Sequence, residues 1–421
     1  MNKINVVGIG FDGKIGLSDT VKAIIKNATV LAGASRHLSY FSEHPADKFL
    51  LQNFQDDIDS AIEKSVTEKV VILVSGDPLF FGLGRLLLTK IPAEKLQFYP
   101  HLSSIQLAFN QLKISWQDAA IVSVHGRNCE KLIKHFKKGT EKIAVLTDNY
   151  NSPIAIAKLY LSLEIPVAYS FFVCENLTVT DGKISAFNPS EIIDLANLNT
   201  DKFATLNVLV LIKKDAVEKE LDLANLPLLG IPDSAFFSYS DRPSLITKKE
   251  VRSVILGELA LQPQQTVWDI GAGTGSVSIE IARLCPLSNI YAIEKTAMGV
   301  SLIDKNIKRF AVKNIQVISA KAPESLEELP TPNRIFIGGS GGNLGSILDT
   351  CQKKIATQGI IIIALATIEH FITILEWANQ NNWHYRILQV QISRSIPIAN
   401  LTRFSPLNPV QIIKLEKIGN S

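Results

Sequence analysis

The chain has 421 residues, 46% of them hydrophobic and 20% charged, a length for two or three domains of an ordinary globular protein. That balance excludes a disordered, collagen-like or coiled-coil chain. A net charge of +3, from 43 basic and 40 acidic side chains, is too small for a dedicated nucleic-acid surface, although a local basic cleft stays open.

In chain order, short apolar runs predict strands at 4–8, 70–74, 120–124, 142–146, 203–212, 266–270, 289–293, 334–337 and 359–364. Between them, apolar residues at i, i+3 and i+4 predict helices at 18–27, 103–112, 152–161, 248–259 and 276–284. Ser18, Ser152 and Thr247 stand where N-caps are expected. Such alternation predicts α/β architecture with largely parallel sheets buried on both faces. A seam falls over 213–245, where Lys213-Lys214-Asp215 ends a strand and turn formers such as Leu226-Pro227 and Gly230-Ile231-Pro232-Asp233-Ser234 follow. The expected domains are about 1–213 and 231–421, joined by a linker over 214–230, with no internal repeat.

Cys129, Cys174, Cys285 and Cys351 are widely spaced, with no Cys-x-x-Cys pair and no neighbouring His cluster. Neither a metal site nor a disulfide framework is signalled, and buried structural thiols in a reducing cytosol are expected. No stretch approaches the ~18 apolar residues of a membrane span. The run 360–367 reads as a buried strand, and 4–9 is followed at once by Asp12 and Lys14, unlike a signal peptide. A cytoplasmic protein with no membrane partner is expected.

The strongest motif lies in the second half. The strand 266–270 runs into Gly271-Ala272-Gly273-Thr274-Gly275 and then a helix, and Glu294 ends the next strand 23 residues beyond Gly271. Alternating glycines let the backbone turn sharply and approach a ligand. An acid at roughly 20 residues beyond the first glycine suits a ribose. The Gly-x-Gly-x-Gly pattern, with Asp269 two residues earlier, resembles motif I of the Rossmann-like class I S-adenosylmethionine methyltransferases rather than a dinucleotide loop. Such a compact loop accommodates the methionine part of a cofactor that carries no pyrophosphate. The null alternative is a plain glycine-rich turn. Ala320-Lys321-Ala322-Pro323-Glu324 follows the third strand, where adenine is usually cradled, and Gly338-Gly339-Ser340-Gly341-Gly342 ends the fourth.

In the first half, one strand runs into Gly8-Ile9-Gly10-Phe11-Asp12-Gly13 and another into Ser75-Gly76-Asp77-Pro78. With Leu102-Ser103-Ser104 leading into a helix, these segments resemble the tetrapyrrole (corrin and porphyrin) methylase family, a two-lobed fold. Phe11 stands where that family usually has Pro. Ser123-Val124-His125-Gly126-Arg127 narrows the likeness to the branch acting late in cobalamin synthesis. The two halves in this order resemble the fused precorrin-6B C5,15-methyltransferases (decarboxylating).

The resemblance implies S-adenosyl-L-methionine as cofactor, an anionic tetrapyrrole (precorrin or cobalt-precorrin) as substrate, no nucleic-acid partner and a homo-oligomer. It implies methylation of C5 by the first half, and methylation of C15 with loss of the ring C acetate carboxyl by the second. By carry-over, cofactor contacts are Gly8, Gly10, Gly76, Asp77, Ser103 and Ser104 in the first half. In the second they are Thr247, Gly271, Ala272, Gly273, Thr274, Gly275, Glu294 and Ala322. Asp77, Arg127 and Ser340 are the residues expected at the chemistry, although Asp77 could equally be a turn residue. The substrate's carboxylates call for cations, with Arg36, His37, His125, Arg127, Arg242, Lys248, Arg252 and Arg394 as candidates. Two other readings stay open: a two-domain RNA methyltransferase, and a first half that binds tetrapyrrole without catalysis.

Overall fold

The structure, a computed structural model, describes residues 2–417 except 53, 179–180, 200–201, 215–220, 244 and 399–400. Positions 215–220 of the expected linker thus lie outside the described residues. The chain forms two compact units, one of 1–131, 141–154 and 170–212, the other of 132–140, 155–169 and 213–421. The units interleave along the chain, whereas the sequence suggested one cut per domain. Among the described residues no helix is long and apolar enough to cross a membrane.

The first unit holds two five-stranded sheets. One is built from β1 (Ile4–Ile9), β2 (Val30–Gly33), β3 (Asp47–Leu50), β4 (Val70–Ser75) and β5 (Leu96–Tyr99), in the order β3-β2-β4-β1-β5. All its pairings are parallel. Successive side chains of a strand point to opposite faces. Val70, Ile72 and Val74 accordingly join one core cluster, and Val71 and Leu73 another. Burial on both faces is why these strands read as continuous apolar runs.

The second sheet comprises β6 (Ala120–Ser123), β7 (Lys142–Leu146), β8 (Ala168–Glu175), β9 (Lys183–Phe187) and β10 (Asn207–Lys214), in the order β6-β7-β10-β8-β9. Here the parallel expectation fails. β6 and β7 pair in parallel, but β10 runs antiparallel to β7 and β9 antiparallel to β8. The connection from β8 to β9 is too short for a parallel crossover. β10 also starts four residues later than expected. Asn207 Nδ2 donates to the Ala204 carbonyl at 2.7 Å, holding 203–206 in bends before the ladder begins.

The second unit has a seven-stranded sheet of β11 (Thr266–Ile270), β12 (Asn289–Glu294), β13 (Ile315–Ser319), β14 (Arg334–Ile337), β15 (Ile360–Leu365), β16 (Trp383–Val390) and, after the β17 (Ser393–Ile398)–β18 (Leu401–Pro406) hairpin, β19 (Val410–Lys417). The order is β13-β12-β11-β14-β15-β19-β16, parallel as far as β15 and antiparallel through β19 and β16. Trp268 and Ile270 enter one core cluster and Val267 the other. Strand order reverses between β11 and β14, the switch point where open α/β sheets bind ligands beyond their carboxyl ends.

The helix expected from 248 runs Lys249–Leu259, with Lys248 rather than Thr247 at its N-cap. Its Arg252 corrects another expectation. Instead of a cation at a cleft rim, Arg252 is fully buried, with Nη1 2.8 Å from Asp233 and Nε 2.8 Å from Glu280, themselves fully buried. It also donates to the carbonyls of Ile231 and Thr247. Glu280 in turn accepts from the backbone N–H groups of Gly230 and Ile231 at 2.9 and 3.2 Å. Ile231, Phe236 and Ile246 pack with Ile279 and Phe310. The turn-rich segment is therefore fastened to the second unit at both its charged and its apolar residues.

Removing one member of a buried ion pair strands the remaining charges. Arg252→Ala should destabilise the chain by roughly 3–5 kcal/mol. Urea unfolding followed by circular dichroism checks this, and an unchanged midpoint would contradict it.

Candidate active sites

In the second unit, β11 delivers the chain into the glycine loop. Gly271, Gly273 and Gly275 have φ of +73°, +58° and +73°, the left-handed region that glycine enters without strain. The three do different jobs. A Cβ on Gly271 would lie 2.4 Å from the Gly339 carbonyl oxygen, and one on Gly275 would press on Ile303 at 3.1 Å. A Cβ on Gly273 would meet nothing nearer than the Gly271 carbonyl at 4.0 Å, so this glycine borders open space. Gly271 and Ala272 donate to the Ile293 carbonyl, and Gly338 to that of Ile270. Buried Asn306 donates to the Thr274 carbonyl at 2.8 Å, fixing the far side of the loop.

Glu294, at the end of β12, is buried and accepts from Gly273 N–H at 3.0 Å and from Thr296 N–H and Oγ1 at 2.8 and 2.7 Å. These bonds aim its carboxylate at the loop. A cavity of about 680 Å³ opens here, lined by Gly271 to Thr274, Glu294, Ala322, Ser340 and Thr247. Gly275 does not line it and serves as the N-cap of the helix Ser276–Leu284. Lys248 and Arg394 also line the cavity. Burial holds the Lys248 ammonium below its ordinary pKa, opposed by Asp233 at 3.8 Å. Arg394 is clamped by Glu250 through two bonds of 2.9 and 2.7 Å. Arg242 is exposed, pairs with Asp241 and lies outside the lining. Tyr239 does line the cavity. Sequence reasoning missed it, because one aromatic among turn formers carries no signal.

The first unit has a cavity of about 580 Å³ between its two sheets' loops, lined by Gly10, Gly76, Asp77, Ser103, Ser104 and Arg127. Gly8 is outside the lining. A Cβ on it would sit 1.8 Å from the Gly76 carbonyl oxygen, so Gly8, near the end of β1, permits the close passage of the loop after β4. Asp77 Oδ1 accepts from Leu79 N–H at 2.8 Å, which makes it a turn residue with its other oxygen uncommitted to that turn. Ser103 caps the helix Ser104–Leu112 in a reciprocal box with Gln106. Arg36, His37 and His125 line the cavity as well. Burial, followed by the Arg36 charge, pulls the His37 pKa down to about 4, so the ring is neutral at physiological pH. Phe81, also in the lining, has φ +55°, a backbone conformation rare for a bulky side chain.

No disulfide joins the four cysteines; Cys174 and Cys351 are buried, and Cys129 and Cys285 are partly exposed. Burial pushes the Cys174 thiol up to about 12, which leaves it inert despite its place in the first cavity's wall. Among the described residues no group of three or more His, Cys, Asp or Glu side chains is placed to hold a metal ion.

The fold and these loops define a two-part methyltransferase-fold protein. Residues 3–192 match the tetrapyrrole (corrin/porphyrin) methylases, and residues 239–417 match the precorrin methyltransferase domain. A precorrin-6Y C(5,15)-methyltransferase [decarboxylating] from a Sinorhizobium species is 31% identical over 414 residues, covering 97% of this chain and 94% of that protein. The protein of the same name from Mycobacterium tuberculosis is 25% identical over 415 residues, 97% of this chain and 98% of the relative. A probable cobalt-precorrin-6B C(15)-methyltransferase (decarboxylating) from Pyrobaculum aerophilum is 36% identical over 186 residues, 44% of this chain and 94% of its own. This chain belongs to the precorrin-6Y C(5,15)-methyltransferase (decarboxylating) family.

The fully buried Asp269 gives a pH signature. Burial raises its carboxyl to about 6, while Ser278 N–H and Oγ–H, both donating to Oδ2, pull the other way. A carboxyl that holds its proton more tightly when folded contributes stability at low pH and loses it as pH rises from about 4 to about 6. Asp269→Asn should remove that component. Relative to the variant, the wild type should lose roughly 1–1.5 kcal/mol between pH 5 and pH 7.5. Urea midpoints at the two pH values measure this, and parallel changes in both proteins would contradict it.

Proposed function

We propose that this chain carries out the S-adenosylmethionine-dependent C5,15-methylation and decarboxylation of precorrin-6B, or its cobalt form, in cobalamin synthesis. The balance is one tetrapyrrole, counted in its acid form, and two S-adenosylmethionines giving precorrin-8, two S-adenosylhomocysteines, carbon dioxide and the two protons that the incoming methyl cations displace. The second half, about 231–421, is assigned C15 methylation with loss of the ring C acetate carboxyl, and the first half, about 1–213, C5 methylation. The observation that carries this reading is that one chain contains two unlike cavities, each at the carboxyl edge of a parallel sheet and each bordered by glycines from adjacent strand ends.

The residues fit the cofactor. Gly273 borders open space at a positive φ, and Glu294 presents carboxylate acceptors beside it. When bound, S-adenosylmethionine supplies an electrophilic methyl group. Gly271 to Thr274 and Thr247 would hold its methionine part, Glu294 the ribose hydroxyls and Ala322 the adenine. In the first half Gly10, Gly76, Asp77, Ser103 and Ser104 would do so, with Gly8 keeping the loops together.

A tetrapyrrole meso carbon is itself electron-rich, so the chain's work is alignment and exclusion of water rather than activation of a nucleophile. The mostly apolar wall of the first cavity, from Ile9 and Leu73 to Leu107 and Val208, suits that task. Ser340 offers a hydroxyl between backbone-only glycines in the second cavity, and Arg127 a cation in the first. The conjugated macrocycle can take up the electrons released on decarboxylation.

Purified full-length protein incubated with S-adenosylmethionine and precorrin-6B, with and without cobalt, should give a product that has gained two methyls and lost carbon dioxide. Glu294→Ala should raise KM for S-adenosylmethionine in the decarboxylating step roughly tenfold to a hundredfold, the worth of a charged hydrogen bond. One methyl with loss of carbon dioxide would reduce the first half to a binding module, and no change in mass would overturn the reading.

A further inference from the structure

Two arginines line the first cavity, and neither has a carboxylate partner among the described residues. The Arg36 guanidinium lies over the Phe11 ring, 4.5 Å from its centroid. Its Nη2 donates to Ser75 Oγ at 2.9 Å and sits 3.0 Å from His37 Nε2. A guanidinium can only donate, so His37 Nε2 is the acceptor in that contact. Ser75 Oγ, 3.1 Å away, can give its own proton to the same nitrogen. Arg36 is thus fixed on three sides by neutral groups. Its Nη1 is buried with no hydrogen-bond partner.

Arg127, an exposed residue of the cavity lining, is likewise stacked on an aromatic ring. It emerges from the strand-end His125-Gly126-Arg127 turn, and its guanidinium stands over the Phe81 ring at 5.7 Å. Phe81 reaches that place through its left-handed backbone, with Phe80 edge-on against it at 5.1 Å. Stacking on an aromatic face orients a guanidinium while leaving its N–H edge free. A buried guanidinium nitrogen without a hydrogen-bond partner, as Arg36 Nη1 is, carries a desolvation cost that an arriving anionic acceptor would offset.

We infer that Phe11–Arg36 and Phe81–Arg127 are two carboxylate-binding posts, each taking one acid side chain of an anionic macrocycle in the first cavity. The assignment rests on the proposed reading of that cavity as a tetrapyrrole site. It also gives Phe11 a role, as the ring on which Arg36 is stacked. The planar fork of each arginine suits a bidentate carboxylate.

The test is binding of precorrin-6B to the full-length protein held with saturating S-adenosylhomocysteine, so that no turnover occurs, followed by the tetrapyrrole's absorbance. Arg36→Gln and Arg127→Gln should each weaken one class of sites roughly tenfold to a hundredfold. Arg36→Lys should recover part of the loss, and Phe11→Ala should weaken binding with the Arg36 charge still present. S-adenosylhomocysteine affinity and melting temperature should stay at wild-type values. Unchanged isotherms in both glutamine variants would overturn the posts even if the wild type transfers both methyls. A parallel fall in S-adenosylhomocysteine affinity would also overturn them, because the guanidinium would then hold the cofactor's own carboxylate. Weakened binding in the variants, with no methyl transfer by the wild type, would keep the posts and sink the catalytic reading alone.

Discussion

Each unit depends on one close passage of backbone over backbone. A single methyl group on Gly8 would lie 1.8 Å from the carbonyl oxygen of Gly76, and one on Gly271 would lie 2.4 Å from that of Gly339. In both cases the two glycines belong to neighbouring parallel strands or their exits, Gly8 within β1 and Gly76 just after β4 in one unit, Gly271 and Gly339 just after β11 and β14 in the other. With no side chain between them, the exit loops cross at backbone distance and the sheet edge stays open beyond. The residues that line each cavity, Gly10 and Asp77 or Gly273 and Ser340, follow directly from those crossings. Replacing either crossing glycine therefore acts on the architecture of the edge before it acts on any ligand.

The second unit adds a further tether. Arg252, Asp233 and Glu280 are buried together, and removing any one of them would strand charge in the core. What they fix is the path of 230–247. That path brings Tyr239 and Thr247 to the cavity wall and leaves Lys248 at the head of its helix. Around Arg36 the first unit instead uses neutral partners. Burial, followed by the Arg36 charge, keeps His37 neutral, so its ring accepts a hydrogen bond from that guanidinium instead of adding a second charge.

The parallel core was legible because strands buried on both faces must be apolar throughout, and runs such as 70–74 and 360–365 are. The glycine loop and Glu294 were legible because the turn, the helix and the distal acid constrain one another. Other features left no local trace. The antiparallel pairing of β8 with β9 depends on which strands meet, and β16 and β19 alternate buried and exposed positions too weakly to announce a sheet edge. Arg252 looked like a surface cation because its partners Asp233 and Glu280 are distant in sequence. Gly8 and Gly275 do not line the cavities; what the structure shows for them is packing against Gly76 and the cap of a helix, neither of which a glycine motif distinguishes from a ligand contact. Phe81 could not be singled out, since its left-handed backbone is imposed by the loop around it.

Titration of the full-length chain with S-adenosylhomocysteine, followed by calorimetry, tests most directly whether both glycine-bordered cavities hold the proposed cofactor. Two equivalents bound per chain is the predicted result. One equivalent, or none, would contradict it.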